Sequence, residues 1–230
     1  MTEFTGSSKL YGSTNNASPR QFAGGWRAVI LIFLLFGLFI SGIAGYQLKA
    51  TQTPAPDSAD VGFARDMSIH HAQAVELAKL AYDRSEDEAI RLLAYDILTG
   101  QQAQIGVMSG WLDAWGYPWT DSGPRMMWMG MPVEGLMPGM ATAEEIARLR
   151  NAQGAEADAI FLQLMIPHHR GGVMMAETGI ERAQSEVARN LARSIAEAQQ
   201  YEIEYMQQLL QEKGYEPVPE TPLMKDMPHS

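Results

Sequence analysis

Along Leu191, Ile195, Ala198, Glu202, Tyr205, Met206 and Leu209, the core-facing positions step by three or four residues, the α-helical period. The same stepping runs through Ile90, Leu93, Ala94, Ile97, Ile105, Met108 and Leu112. Each stretch follows another helical pattern, one starting near Phe63 and the other near Phe161. No stretch reads as a run of strands. The tetrads SEDE at 85–88 and TAEE at 142–145 have the capping-box form and are expected to open helices. The second of these helices is short and precedes the Phe161 pattern. Pro167 predicts a kink, or a fresh helix start, immediately before His168, because a helix-interior proline loses one hydrogen bond and crowds the preceding turn.

The two halves are copies. A shift of 98 residues lays 63–112 on 161–210 without a gap, with 17 of 50 positions identical. Duplication of a helical hairpin is the simplest account. Two hairpins with apolar stripes bury them best against each other, so the pattern predicts an all-α fold, an antiparallel four-helix bundle with an approximate two-fold axis. Its bounds are expected at 61–213, with a long connection at 113–141 that is either functional or mobile.

Residues 28–48 carry no charge over 21 positions, long enough as a helix to span a hydrocarbon core of about 30 Å. They predict one transmembrane anchor ahead of the bundle. A cleaved signal peptide is the alternative, but its apolar region is usually shorter, and no clean cleavage site follows. Arg20 and Arg27 before the segment, against Lys49 alone after it, place the N-terminus inside. The expected organisation is a cytoplasmic tail at 1–27, the anchor at 28–48, a proline-stiffened linker at 49–60, the bundle, and a C-terminal tail at 214–230. The location is then a single-pass cell-membrane protein with its C-terminal domain on the extracytoplasmic side.

Charge and composition narrow the chemistry. The net charge is −10, and residues 50–230 carry 13 basic against 26 acidic groups, which argues against a nucleic-acid partner. The absence of cysteine removes disulfides, thiolate metal sites and cysteine nucleophiles. No Glu-x-x-His, zinc-protease, nucleophile-elbow or phosphate-loop motif is present. The expectation is therefore a protein that is not an enzyme. A copper oxidase would need an open coordination site and turnover, and no motif demands either.

Four of the five histidines sit in two matched stretches, FARDMSIHHAQAVELA and FLQLMIPHHRGGVMMA. Met67 lies three and four residues before His70 and His71, and Met165 stands likewise to His168 and His169, spacings that bring helical side chains together. Each unit thus offers one thioether and two imidazoles, and the pseudo-two-fold brings the sets face to face. Imidazole suits several transition metals, and thioether narrows the choice toward copper(I), with copper(II) the alternative. Asp66, four residues before His70, is expected to orient it from behind. Met126, Met127, Met129, Met131, Met137 and Met140 crowd the long connection and share the preference for soft copper. They serve equally well as an adaptable apolar surface. Gln101, Gln102, Gln199 and Gln200 recur in the partner helices, either bonding the imidazoles or capping a polar layer. Met224, Met227 and His229 read as a frayed tail.

The double His-His motif, each copy followed by a helix of the form A..I...QQ.EI..M...L, resembles domain-of-unknown-function family 305 over about 63–212. The resemblance implies a ferritin-like fold and, by likeness to exported copper-binding proteins of the CopM type, an extracytoplasmic copper role. It marks Met67, His70, His71, Met165, His168 and His169. The chain departs from its own repeat at Gly171 and Gly172, opposite Gln73 and Ala74. The reading is copper sequestration or handover in metal homeostasis, with a copper-handling protein as the possible partner. The alternative is a structural or partner-binding bundle whose histidines are polar core residues.

Overall fold

The computed structural model describes residues 31–43 and 53–219. It divides into two compact units, 1–52 and 53–230. In the first, residues 31–43 are helical and exposed on every face. Among the described residues no helix is long and apolar enough to cross a membrane. The ends of the expected anchor, the 1–27 tail, the start of the linker and residues 220–230 lie outside the described residues.

The second unit is all-helical. Its elements are α1 (Ala59–Arg84), α2 (Glu88–Trp115), a 3-10 turn at Met127–Met129, α3 (Ala143–Asn151), α4 (Gly154–Arg182) and α5 (Glu186–Glu212). Among the described residues the sole β feature is an isolated bridge between Arg125 and Val133. α1 pairs with α2 and α4 with α5, the two predicted hairpins, and the hairpins join chiefly through α1 and α4.

Local signals account for most helix ends. Thr142 and Glu145 form the predicted capping box at α3. The start of α2 differs from expectation. Its cap is Asp87, whose side chain accepts from the amides of Ala89 and Ile90, while Ser85 bonds Asp87 instead. The carboxylate wins because it sits one residue from the first helical turn and satisfies two free amides at once. Of the two outcomes expected at Pro167, the fresh start does not occur, since α4 runs through it and no new helix begins at His168. The carbonyl it frees belongs to Gln163, an exposed residue, where water can satisfy it.

The start of α5 is capped from another helix. Asp60, fully buried, accepts from the amides of Gln184 and Ser185 at 2.9 and 2.8 Å. Its repeat equivalent, Asp158, is also buried and meets Lys213, which in turn pairs with Asp87 at the head of α2. The 98-residue shift thus extends upstream to an aspartate pair that ties each hairpin to the other.

The core is in two parts. One apolar cluster holds Leu77, Ile90, Ile97, Phe161, Leu162, Met165 and Met206. The other holds Phe63, Met67, Met108, Leu112, Met126, Met137, Met175 and Ile195. Along every long helix the polar residues His70, His71, Gln101, His168, His169 and Gln199 fall between these clusters, and all six are buried. A polar layer therefore crosses the middle of the bundle.

Candidate metal centre

The duplication places this layer. α1 and α4 run antiparallel, with the start of α1 against the end of α4, so equivalent residues meet where they cross. Gly179 lies at Phe63 for the same reason, and a Cβ there would stand 2.9 Å from the phenylalanine ring. At the crossing, the rings of His70 and His168 approach to 3.9 Å between centroids, tilted by 40°. His169 lies beside His168, 6.3 Å between ring centres. All four histidines are wholly buried.

Three of them are tethered through the same atom. His70 Nε2 lies 3.2 Å from the Pro138 carbonyl, His71 Nε2 lies 2.7 Å from Gln104 Oε1, and His169 Nε2 lies 2.6 Å from Glu202 Oε2. A carbonyl or a carboxylate only accepts, so Nε2 carries the hydrogen and donates. In all three rings the other nitrogen, Nδ1, is buried without a partner. His168 has neither nitrogen bonded. Burial pulls the His70 imidazole down to about 4 and His71 to about 3, and holds His168 well below the usual histidine range. At neutral pH these rings are uncharged, the form in which imidazole binds metals.

Gln104 and Glu202 were missed by sequence reasoning. Both lie 33 residues after their histidine and at equivalent repeat positions, but one is an amide and the other an acid, so a search for identities passes over them. The signal was a polar residue on the core stripe of α5. The four glutamines divide. Gln101 and Gln199 are buried with both amide atoms unpartnered, whereas Gln102 and Gln200 are exposed. None bonds an imidazole.

The glycine pair of α4 has a steric cause. A Cβ at Gly171 would stand 2.0 Å from the Pro138 carbonyl, and one at Gly172 would stand 2.2 Å from Gln199 Oε1. The loop reciprocates, since a Cβ at Gly139 would come 2.1 Å from the Pro167 carbonyl, and Gly139 has φ of 77°. The repeat departs from itself here so that the loop backbone can close over His70 and His168.

Asp66 is a correction. It does not orient His70, whose Nδ1 has no partner. Its Oδ2 accepts from the Met126 amide at 2.8 Å and from the Trp128 indole at 2.9 Å, with Arg125 4.0 Å from Oδ1. Burial pushes its carboxyl up, opposed by those two donors. Asp66 thus anchors the long loop, and Met126 takes a left-handed φ of 61° there. Asp66→Ala leaves a buried indole and amide unpaired, a cost of about 1–3 kcal/mol each. The expected result is early amide exchange in 125–131 with the four long helices still protected; uniform exchange across the chain would contradict it.

The methionines scatter. Met67 and Met165 are buried, but in different apolar clusters. Met126, Met129 and Met137 are buried in the cluster of Met67, and Met131 and Met140 pack against it. Met127 points outward, 61 % exposed. The loop is therefore packed along much of its length, and what it brings to His70 is a backbone carbonyl. Among the described residues, no three histidine, aspartate or glutamate side chains are grouped to hold one ion. The donor set nevertheless fits a soft ion of low coordination number. It offers two uncharged imidazoles meeting at the crossing, His70 and His168, the first held from behind by a carbonyl oxygen, as is usual for metal-ligating histidine.

The sequence model of the Domain of unknown function (DUF305) matches residues 60–210. Among solved structures, a DUF305 protein from Streptomyces coelicolor described as secreted is 49 % identical, with a TM-score of 0.69, and the match covers 72 % of this chain and all of that one. A DUF305 fragment from Deinococcus radiodurans is 33 % identical with a TM-score of 0.56, over 67 % of this chain and 96 % of that one. CopM in its Cu(I)-bound form is 28 % identical with a TM-score of 0.51, over 66 % of this chain and 96 % of that one. CopM has also been solved in Cu(II)-bound and silver-bound forms, at similar likeness. No curated protein matches the chain.

Proposed function

The chain belongs to the DUF305 family, and from that premise we propose that it is an extracytoplasmic copper-binding protein that sequesters or hands over copper in metal homeostasis. One observation carries the proposal: a buried layer of four imidazoles, each with at least one ring nitrogen that has no protein partner. Unpaired polar atoms in a core are costly and rare, and a ligand that accepts their lone pairs removes the cost. His70 and His168 at the crossing are the principal ligands, with His71 and His169 beside them. Copper(I), with a filled d shell, tolerates the low coordination that one histidine pair and a neighbouring thioether supply. Met67 and Met165 flank the layer from either side, and outward-facing Met127 is the thioether placed to meet an ion or a copper-handling protein first. Copper(II) is the second choice of ion. The likeness to CopM, a protein solved with both copper ions, supports the metal, and the likeness to a secreted relative supports the extracytoplasmic side.

The ferritin-like cast of the bundle, a membrane anchor at 28–48 and the absence of an enzymatic reaction belong to the same proposal. Copper(I) competition titration of the full chain in detergent micelles tests it. Saturable binding that displaces a strong chelator is expected, and failure to compete would remove the proposal. A second reading, a structural or partner-binding bundle with histidines as polar core, draws on the lack of any three grouped ligands among the described residues.

A further inference from the structure

The two faces of the histidine layer are closed differently. Over α1 and α4, the loop at Pro138 and Gly139 interlocks with Pro167 and Gly171, with no space for even one added carbon. Between α2 and α5 the bundle is open. There the helices leave a cleft of about 90 Å³, lined by Gln101, Gln104, Gln199 and Glu202, with Asp96 and Gly100 among the other residues of its wall. Gly100 and Ala198 are equivalent positions of the repeat on opposite walls, and both are small.

This cleft is built for a polar occupant. Gln101 and Gln199 are only 4 % and 2 % exposed, yet no amide atom of either has a partner. Gln199 reaches as far as Gly172 on α4, two residues beyond the His168–Arg170 turn. Gln104 and Glu202, on the same walls, are the groups that hold His71 and His169. Among its lining residues the charged groups are Asp96 and Glu202, both acidic. A cation entering here meets negative charge, then amide oxygens that replace its water, and behind Gln104 and Glu202 the histidine layer they hold. Ile97, Ile195 and Ala198 complete the walls, and an anionic ligand would meet two carboxylates there.

We propose that the α2–α5 cleft is the inlet through which a soft monovalent cation loses its water and reaches the histidine layer. The proposal rests on the copper reading above. Its distinctive consequence is kinetic, because an inlet lies on the path in both directions without belonging to the bound state. Gly100→Phe, which adds its ring into open space on an exposed helix face, is expected to slow copper(I) uptake from a labile chelate by about tenfold or more, and to slow release by the same factor. The equilibrium affinity then stays as in the native chain. Gln101→Leu combined with Gln199→Leu, which keeps the volume and removes the amides, is expected to slow both rates likewise.

Stopped-flow transfer in both directions, on the full chain in micelles with helicity checked by circular dichroism, reads these outcomes. Uptake at the native rate in a folded Gly100→Phe chain would overturn the proposal and move the path under the loop. So would weakened affinity at an unchanged uptake rate, which would make the cleft part of the bound site. If the native chain takes up no copper at equilibrium, it is the copper reading that fails, and the inlet with it.

Discussion

His168→Leu will leave the bundle folded and at least as stable as the native apo protein, while weakening copper(I) binding by a hundredfold or more, about 2.7 kcal/mol. The two effects point in opposite directions for one reason. His168 is wholly buried and neither of its ring nitrogens has a hydrogen-bond partner. A buried unsatisfied polar group costs about 1–3 kcal/mol, and an apolar side chain of similar size is neutral or stabilising in its place. The histidine is thus a poor core residue, and under the copper proposal a ligand. His70→Leu supplies the contrast, since it strands the Pro138 carbonyl that His70 Nε2 binds at 3.2 Å, and it should destabilise the apo chain. Urea unfolding of apo chains and copper(I) competition measure the two quantities separately. An apo His168→Leu chain that is clearly less stable but binds copper unchanged would return the histidines to a purely structural role.

The apo protein will lose stability as pH falls from about 6.5 toward 4. Folding pulls His70 down to about 4 and His71 to about 3, from an ordinary value of 6.5. Above 6.5 the imidazoles are neutral in both states and the fold keeps its full stability. Below 6.5 the unfolded chain takes up protons that the buried rings refuse, so unfolding is favoured. Each histidine then costs up to about 1.4 kcal/mol per pH unit until its folded value is reached. Two such rings make the loss several kcal/mol, enough to unfold a typical domain. Asp66 works the other way, since burial raises its carboxyl and acid relieves that cost. Protons also compete with metal for the same nitrogens, so copper release follows in the same window. Urea midpoints at several pH values between 8 and 4 check the slope, and a flat profile would show that the rings are not held neutral.

The helices and their pairing were legible because they depend on local pattern. The periodic stripes and the TAEE box mark α3 and the two hairpins closely, and the gapless repeat brings His70 opposite His168 once the hairpins pack about a two-fold. Mistakes arose where two local signals competed or where a partner lay far along the chain. Ser85 has the better motif, but Asp87 has the better position. Asp66 stands at helical spacing from His70, but the loop 60 residues on offers it an amide and an indole. Identity between repeats pointed to Gln102 and Gln200, which face solvent, and hid Gln104 and Glu202, which differ but do the same work.

By itself, then, the sequence determined an all-helical duplicated bundle and which imidazoles would be buried together, since burial follows from period and repeat. Only the tertiary structure decided that Nε2 is tied in three of the rings and neither nitrogen in His168, that the loop closes one face of the layer with its backbone, and that a cleft opens on the other. Those outcomes depend on hydrogen bonds and close approaches between segments tens of residues apart, where a shift of one helical turn changes every partner.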